Sequence, residues 1–248
     1  MTAADRRQAV RKYFSPFPKW GVWCIVIGIV ALLIGLGGAK IFLLIGLALG
    51  GLGGFGIYNY SNGKPTDAEL DKIISEYLSN AKAKALQSTD TDDSDLVGEP
   101  VVITGPRFWD TGGAEVMFRK GADNQLRFTP MNVTVLNMTE NQLLAYQGAL
   151  DLTTGNFLSP STDEYFYRDV VSVSTKTISK TATLPNKGVV QLDAAQTFVL
   201  TTSGGTSIET VLKDPKLIEM MGGGDIPTTE ADRAIQVVRK MLREKKVA

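Results

Sequence analysis

Two long apolar runs near the N-terminus constrain this 248-residue chain more than any other feature. Residues 20–63 contain a single charged residue, Lys40, which separates an apolar run over 20–39 from a second over 41–60. An α-helix rises 1.5 Å per residue, so about 20 residues cross the roughly 30 Å hydrocarbon core of a bilayer. Because lipid offers no hydrogen-bond partners, each run must satisfy its own backbone. The two runs therefore predict a transmembrane helical hairpin over residues 20–60.

Two other interpretations of the apolar runs stay open at this stage. A hydrophobic helical hairpin in the core of a soluble domain has a similar composition. A basic segment followed by an apolar stretch also resembles a signal peptide, which would be cleaved after Ala39 and leave the second run as an N-terminal anchor. The length of the first run and the immediate second run favour the hairpin.

Charge on either side of the hairpin predicts its orientation. The four-residue link at 37–40 is short enough to require antiparallel neighbours, so both chain ends share one side. Five basic residues lie within the N-terminal segment 1–19, whereas the link carries only Lys40. By the positive-inside rule both termini face the cytoplasm, and we expect a bacterial inner-membrane location. Six basic residues are candidates for contact with anionic lipid headgroups, namely Arg6, Arg7, Arg11, Lys12, Arg239 and Arg243.

Glycines in the second run predict close helix packing. Gly46, Gly50 and Gly54 are spaced four apart, which lets two helix backbones approach closely in lipid. The partner is either another protomer or the first run of the same hairpin, through Gly28 and Gly35. Both assignments stay open.

The segment 61–95 predicts an amphipathic connector helix followed by an acidic linker. Thr66 and Glu69 fit a capping box, and the helix continues to about Leu86. Its apolar stripe can dock on the following domain, lie on the lipid surface or pair with a second copy; for self-association the candidates are Leu70, Ile74 and Tyr77. Residues 87–95 contain four aspartates and no large apolar side chain, which predicts a solvated linker. Calcium binding is the alternative there, but the EF-hand spacing is absent.

Residues 96–248 predict an antiparallel β domain closed by a C-terminal helix. Segments rich in Val, Thr, Phe and Tyr alternate with turn residues, and the expected strands are 101–104, 114–120, 125–137, 142–152, 165–180, 189–202 and 206–213. Turns are expected at 122–124, at 153–156 and at Gly204-Gly205, where positive φ suits a two-residue hairpin. The last helix is expected over about 229–246, capped by Thr228 or Thr229. The fold class is therefore a membrane-anchored α+β protein.

Four segments of this domain resemble the pleckstrin-homology-like (PH-like) superfold, including its GRAM and bacterial relatives. They are 150–155, 164–173, 197–208 and 234–242, and the resemblance covers roughly residues 100–246 by order of elements. The resemblance implies a strongly bent sheet in two nearly orthogonal halves, with the C-terminal helix closing one corner. Members of the superfold bind phosphoinositides or peptides, and some have no known ligand.

Composition excludes several kinds of chemistry. The chain has no histidine and one cysteine, so His-dependent nucleophile pairs, His-ligated metals and Cys-rich zinc sites are absent. Lysine and arginine balance aspartate and glutamate at 26 each, which disfavours a nucleic-acid binder. Asp163, Glu164 and Asp169 flank an aromatic strand, but sequence proximity alone does not create a catalytic carboxylate pair. We therefore expect no enzyme, no cofactor and no metal.

These observations favour a non-enzymatic membrane protein that presents a cytoplasmic PH-like module for homo-oligomeric assembly or scaffolding. The expected partners are the lipid bilayer and further copies of the chain. Two alternatives remain: a membrane-tethered sensor of lipid headgroups or peptides, and an accessory subunit bound to a partner protein in a larger membrane complex.

Overall fold

Two antiparallel helices, α2 (Lys19–Leu36) and α3 (Ile41–Ser61), form the predicted hairpin. The computed structural model describes residues 2–109, 111–184, 188–227 and 231–245. Clustering of contacts divides the chain into two units, Met1–Leu70 and Asp71–Ala248. The two helices are joined by the turn that begins at Gly37, whose N–H donates to the carbonyls of Leu33 and Ile34. The predicted helices and their four-residue link are therefore confirmed.

A further helix, α1 (Ala3–Phe14), precedes the hairpin and is not predicted from the sequence. Thr2 and Asp5 form a reciprocal capping box at its start. Its inner face buries Val10, Tyr13 and Phe14, and the Tyr13 hydroxyl donates to Asp67 over 2.8 Å. Only these three large side chains form the buried face of this 12-residue helix, too few for a clear helical period in the sequence, and packing within the first unit stabilises it.

The connector helix α4 (Asp67–Ser88) begins at the predicted capping box. The backbone N–H of Glu69 donates to the Thr66 hydroxyl over 3.2 Å, and that of Thr66 donates to the Glu69 carboxylate over 2.8 Å. From Asp71 onward the helix belongs to the second unit. Its apolar stripe buries Ile73, Tyr77, Ala81 and Ala85. Docking on the following domain is the first of the three roles that were expected for this stripe.

Three antiparallel sheets build the second unit. The strands are β1 (Val101–Pro106), β2 (Met117–Lys120), β3 (Leu126–Thr129), β4 (Met131–Met138), β5 (Gln142–Asp151), β6 (Asn156–Phe166), β7 (Val170–Leu184), β8 (Gly188–Thr202) and β9 (Ser207–Lys213). They are ordered β1-β4-β5-β6 in one sheet, β2-β3 in a short hairpin, and β7-β8-β9 in the third sheet. The turns predicted at 122–124, 153–156 and Gly204-Gly205 are each present between paired strands.

Strand boundaries differ from the sequence prediction in three places. The segment expected as one strand over 125–137 is split at Pro130 into β3 and β4. The segment expected over 165–180 is interrupted by a 3₁₀ turn at Tyr167–Asp169. β6 was missed because it is largely polar and contains Pro160; both features are tolerated at the edge of a sheet, where β6 lies.

The core of the second unit lies between the four-stranded and three-stranded sheets. Both sheets contribute to one buried cluster, which α6 (Ala231–Lys245) covers with Ile235, Val238 and Met241. The sheets also meet directly, since the hydroxyls of Thr134 and Thr210 lie 2.8 Å apart. A short helix, α5 (Pro215–Met220), precedes α6 and is not predicted from the sequence. The proposed cap at Thr228 or Thr229 lies outside the described residues.

Candidate membrane anchor and interaction surfaces

The surfaces of α2 and α3 are almost wholly apolar and mostly exposed. Both helices are long and apolar enough to span a membrane, and in their most apolar 18-residue stretches only 22% and 11% of residues are buried. A core helix of a soluble domain would be buried on most sides. Large side chains such as Trp23, Leu33, Leu44 and Phe55 are instead exposed to between 65% and 71%. The hairpin therefore has a large exposed apolar surface.

Glycines spaced seven apart hold α2 against α3. Gly21, Gly28 and Gly35 lie on the inner face of α2, opposite Gly46 and Gly53 of α3. A Cβ atom at Gly46 would lie 2.7 Å from the carbonyl oxygen of Gly28, closer than real Cβ contacts allow. Gly28, Gly35 and Gly46 were predicted from the sequence to pack in this way, but their seven-residue period, which was readable there as an interface repeat, was missed.

Of the other glycines of α3, Gly56 packs against the ring of Trp20 on α2, whereas Gly50, Gly51 and Gly54 point away from α2. A Cβ atom at Gly50, Gly51 or Gly54 would meet nothing within 4 Å. The predicted pattern thus separates into two sets: Gly46 packs within the hairpin, whereas Gly50 and Gly54 leave open surface beside it. Packing within the hairpin is therefore the assignment that the structure gives for Gly46, and association with another protomer through Gly50 and Gly54 stays a prediction.

Aromatic and basic side chains gather where the hairpin opens. The rings of Phe17 and Tyr60 meet edge-on at 5.3 Å, and the Lys64 ammonium lies 3.7 Å from the centre of the Tyr60 ring. Lys12 donates to the carbonyl of Asn62. Such amphipathic side chains suit the boundary between lipid and water.

The residues predicted to contact headgroups fall in both units. On α1, Arg7 and Arg11 are exposed, whereas Arg6 and Lys12 are half-buried. The remaining two, Arg239 and Arg243, are exposed on α6. Headgroup contact by these side chains stays a prediction.

The residues predicted for self-association on α4 have different environments. Leu70 is fully buried, Tyr77 is 8% exposed and Ile74 is half-buried. Tyr77 packs against the turn at Gly155, where a Cβ atom would lie 2.8 Å from the ring. Ile74 lines a pocket of about 280 Å³ between α4 and β3. The structure thus assigns Tyr77 to packing within the second unit, and self-association through this stripe stays a prediction.

A buried arginine fastens α4 to the β domain. The guanidinium of Arg127, 4% exposed, donates two hydrogen bonds to Asp71 of α4 at 2.6 and 2.7 Å. It donates two more to Asp123 at 2.7 and 3.0 Å. These hydrogen bonds lower the pKa of Asp123 to about 2. The two bidentate contacts fix the orientation of the Arg127 guanidinium relative to both carboxylates and pair its positive charge with theirs.

Tyr167 is the described side chain with the most strongly raised pKa. Burial raises it to about 12, with a smaller contribution from the negative charge of Glu140. The hydroxyl donates to the carbonyl of Thr139 over 2.8 Å. Burial and this hydrogen bond keep the phenol in its neutral form, which is typical of a structural role.

An open groove lies between β7 and α6 and contains both basic residues of α6 named above. Its volume is about 570 Å³, and its walls are Val170, Val171, Ser172, Val173, Arg239, Leu242 and Arg243. The Arg239 guanidinium donates to the carbonyl of Val173 at 3.0 and 3.3 Å. The two arginines were predicted from their charge, but the groove itself depends on the packing of α6 and was missed.

Neither comparison with known proteins nor a search for metal-binding clusters assigns a function to the described chain. No family model matches the chain, and no curated protein or solved structure matches it either. Within the described residues, no three His, Cys, Asp or Glu side chains come together in a way that could hold a metal ion. The hairpin and the groove are therefore the features of the described chain that point to a function.

Proposed function

We propose that this chain is an integral membrane protein, anchored by α2 and α3 in a bacterial inner membrane with both termini cytoplasmic. The observation that carries the proposal is the apolar surface of the two helices, with only 22% and 11% of their spanning stretches buried. The concentration of basic residues before α2 supports the orientation. Insertion into lipid removes this exposed apolar surface from water, which is energetically favourable.

Fractionation and labelling test the anchor. Full-length protein with a tag at each end should sediment with membranes after an alkaline carbonate wash. Both tags should become accessible to the labelling reagent only after the cytoplasmic side of the membrane is made permeable to it. Protein released by carbonate would refute the anchor. Tags on opposite faces would refute the hairpin orientation while leaving membrane insertion intact.

We also propose that residues 96–248 form a PH-like module without a catalytic step. Its support is topological: an antiparallel four-stranded sheet is followed by an antiparallel three-stranded sheet and by a C-terminal helix that contributes to their shared core. The inserted hairpin β2-β3 and helix α5 are additions to that plan. We propose that the module serves assembly or scaffolding at the membrane surface.

Self-association through the open glycines is the assembly step that we propose. Gly50 and Gly54 are four residues apart and leave room for a second helix backbone. The double variant Gly50→Ile/Gly54→Ile should reduce the particle to a monomer in mild detergent, measured by light scattering. Ala48→Ile is the matched control, because Ala48 is also exposed on α3 but lies about 160° around the helix from Gly50. An unchanged particle mass for the double variant would refute this step.

A second candidate is a membrane-tethered sensor of lipid headgroups or peptides, which the groove beside Arg239 and Arg243 favours. Full-length protein in neutral nanodiscs would then capture free anionic vesicles or peptides, and Arg243→Glu would reduce the capture. An accessory role in a larger complex would instead give a stoichiometric partner protein after purification in mild detergent.

A further inference from the structure

A pocket of about 280 Å³ lies within the second unit, between α4 and the strands β1, β3 and β4. Seven of its eleven lining residues are apolar, and α4 contributes two of them, Ile74 and Leu78. These two side chains are half-buried, whereas Leu126 and Phe128 on the opposite wall are buried. The segment 226–227 forms a third wall. Together these elements enclose an apolar recess.

The volume of the pocket sets the size of the molecule that fits it. Side chains in protein interiors pack closely and rarely leave space for more than a water molecule. A cavity of about 150 Å³ lined by apolar side chains holds benzene. The pocket is almost twice as large, so it suits an apolar body of roughly ten to twelve non-hydrogen atoms.

The arginine that lines the pocket is not available to a negatively charged ligand. The nitrogens of Arg127 make five hydrogen bonds, to Asp71, Asp123 and the carbonyl of Gln125. A guanidinium has five N–H donors, so this set uses all of them. A carboxylate in the pocket would instead lie near the carboxylates of Asp71 and Asp123, which repel it.

The charge at the mouth of the pocket is negative. One guanidinium is paired with two carboxylates, which leaves one negative charge on the cluster of Arg127, Asp71 and Asp123. Nearby, Asp225 and Lys120 carry opposite charges and cancel each other. Asp71 lines the pocket and its side chain is 52% exposed. Each of its oxygens accepts one hydrogen bond from Arg127 and has room for a second, so Asp71 can accept one from a cationic ligand.

We infer that this pocket binds a small organic cation with an apolar body, such as an amine joined to an aromatic ring by a short alkyl chain. The apolar body lies against Ile74, Leu78 and Phe128, and the ammonium donates to the carboxylate of Asp71. Burial of the body removes apolar surface from water, and the ion pair selects a positive charge over a negative one. The inference is independent of the proposed function, since it requires neither the hairpin nor the groove beside α6.

A matched series of phenylbutyl compounds tests the inference, by calorimetric titration of full-length protein in neutral detergent. Phenylbutylamine, phenylbutanol and phenylbutyrate share one apolar body but are positive, neutral and negative, and titration into protein-free micelles provides the blank. The amine should bind about fivefold more tightly than the alcohol, because a partly exposed ion pair adds a modest attraction. The butyrate should bind more weakly than the alcohol. Equal affinities of the amine and the butyrate, or no binding by the amine, would overturn the inference.

Two tryptophan substitutions on α4 locate the site. Ser75 lines the pocket and is exposed, so Ser75→Trp should fill the pocket and weaken binding of the amine by more than about tenfold. Ser79→Trp is the matched control, because Ser79 is also exposed on α4 but lies outside the lining. It should change the affinity by less than about twofold. Similar binding by the two variants would overturn the inference.

Asp71→Asn tests the role of the charge even where Ser75→Trp does not fold. It removes the net negative charge of the cluster, so the amine should lose about fivefold in affinity while the alcohol binds as before. An equal loss for the two compounds, or an unchanged preference for the amine, would overturn the inference. Butylamine, which lacks the ring, should not bind measurably. Binding of butylamine as tight as that of phenylbutylamine would overturn the inference in favour of charge attraction alone.

Discussion

Replacing Gly46 by alanine should loosen the helical hairpin, whereas the same change at Gly50 should not. The added Cβ atom at Gly46 would lie 2.7 Å from the carbonyl oxygen of Gly28, and ordinary contacts begin at 3.4 Å. The helices must therefore separate by about 0.7 Å, which removes a quarter to a half of the attraction of each contact they make there. Overpacking of this kind costs about 1–3 kcal/mol.

Gly50→Ala adds the same atom where nothing lies within 4 Å. Alanine favours a helix by about 1 kcal/mol over glycine, and both variants gain this contribution. The two variants should therefore differ by about 1–3 kcal/mol in the free energy of unfolding, with Gly50→Ala the more stable. Unfolding in mixed micelles with a rising fraction of dodecyl sulfate, followed by tryptophan fluorescence, measures the difference. Equal stability, or a more stable Gly46→Ala, would show that the hairpin does not pack through Gly46.

Three further outcomes concern the second unit, each measured on full-length protein in neutral detergent by denaturant unfolding. Gly155→Ala should lower the free energy of unfolding by about 1–3 kcal/mol more than Gly205→Ala does. Both positions have positive φ, but only the methyl group at position 155 would press against the ring of Tyr77 on α4. Equal losses would refute that contact. The folded-state pKa of Tyr167 is raised by burial, so the free energy of unfolding should fall as pH rises from about 10 to 12. Tyr167→Phe should flatten that fall. An unchanged slope of stability against pH would argue against burial of the phenol. The folded-state pKa of Asp123 is lowered by Arg127, so the stability that this carboxylate contributes is present above about pH 4 and is lost as pH falls toward 2. Asp123→Asn should remove this acid dependence. A variant with wild-type acid sensitivity would contradict the pairing.

Local sequence signals predicted the elements that depend on nearby residues. The apolar runs, the capping box at Thr66 and Glu69, and the Gly204-Gly205 turn are each encoded within a few positions, and all are present. β6 and α5 were missed for the opposite reason. β6 is a polar edge strand whose formation depends on pairing with β5, and α5 has only six residues, too few for a clear helical period.

The candidate surfaces show the same division. Charge alone singled out Arg239 and Arg243, yet the groove exists because α6 packs beside the edge of β7. Arg127 carried no special signal, since its partners at Asp71 and Asp123 are 56 and 4 residues away, and only folding brings the more distant one within 2.6 Å.

By itself the sequence determined that two apolar helices precede a β-rich domain, because hydropathy and turn propensity act over short stretches of chain. Only the tertiary structure decided which glycines of α3 face α2 and which remain open. That choice depends on the rotation of one helix against the other, and the rotation is set by side-chain contacts between residues far apart in sequence. The same physical reason applies to the groove, whose two walls come from one strand, β7, and one helix, α6, separated by more than sixty residues.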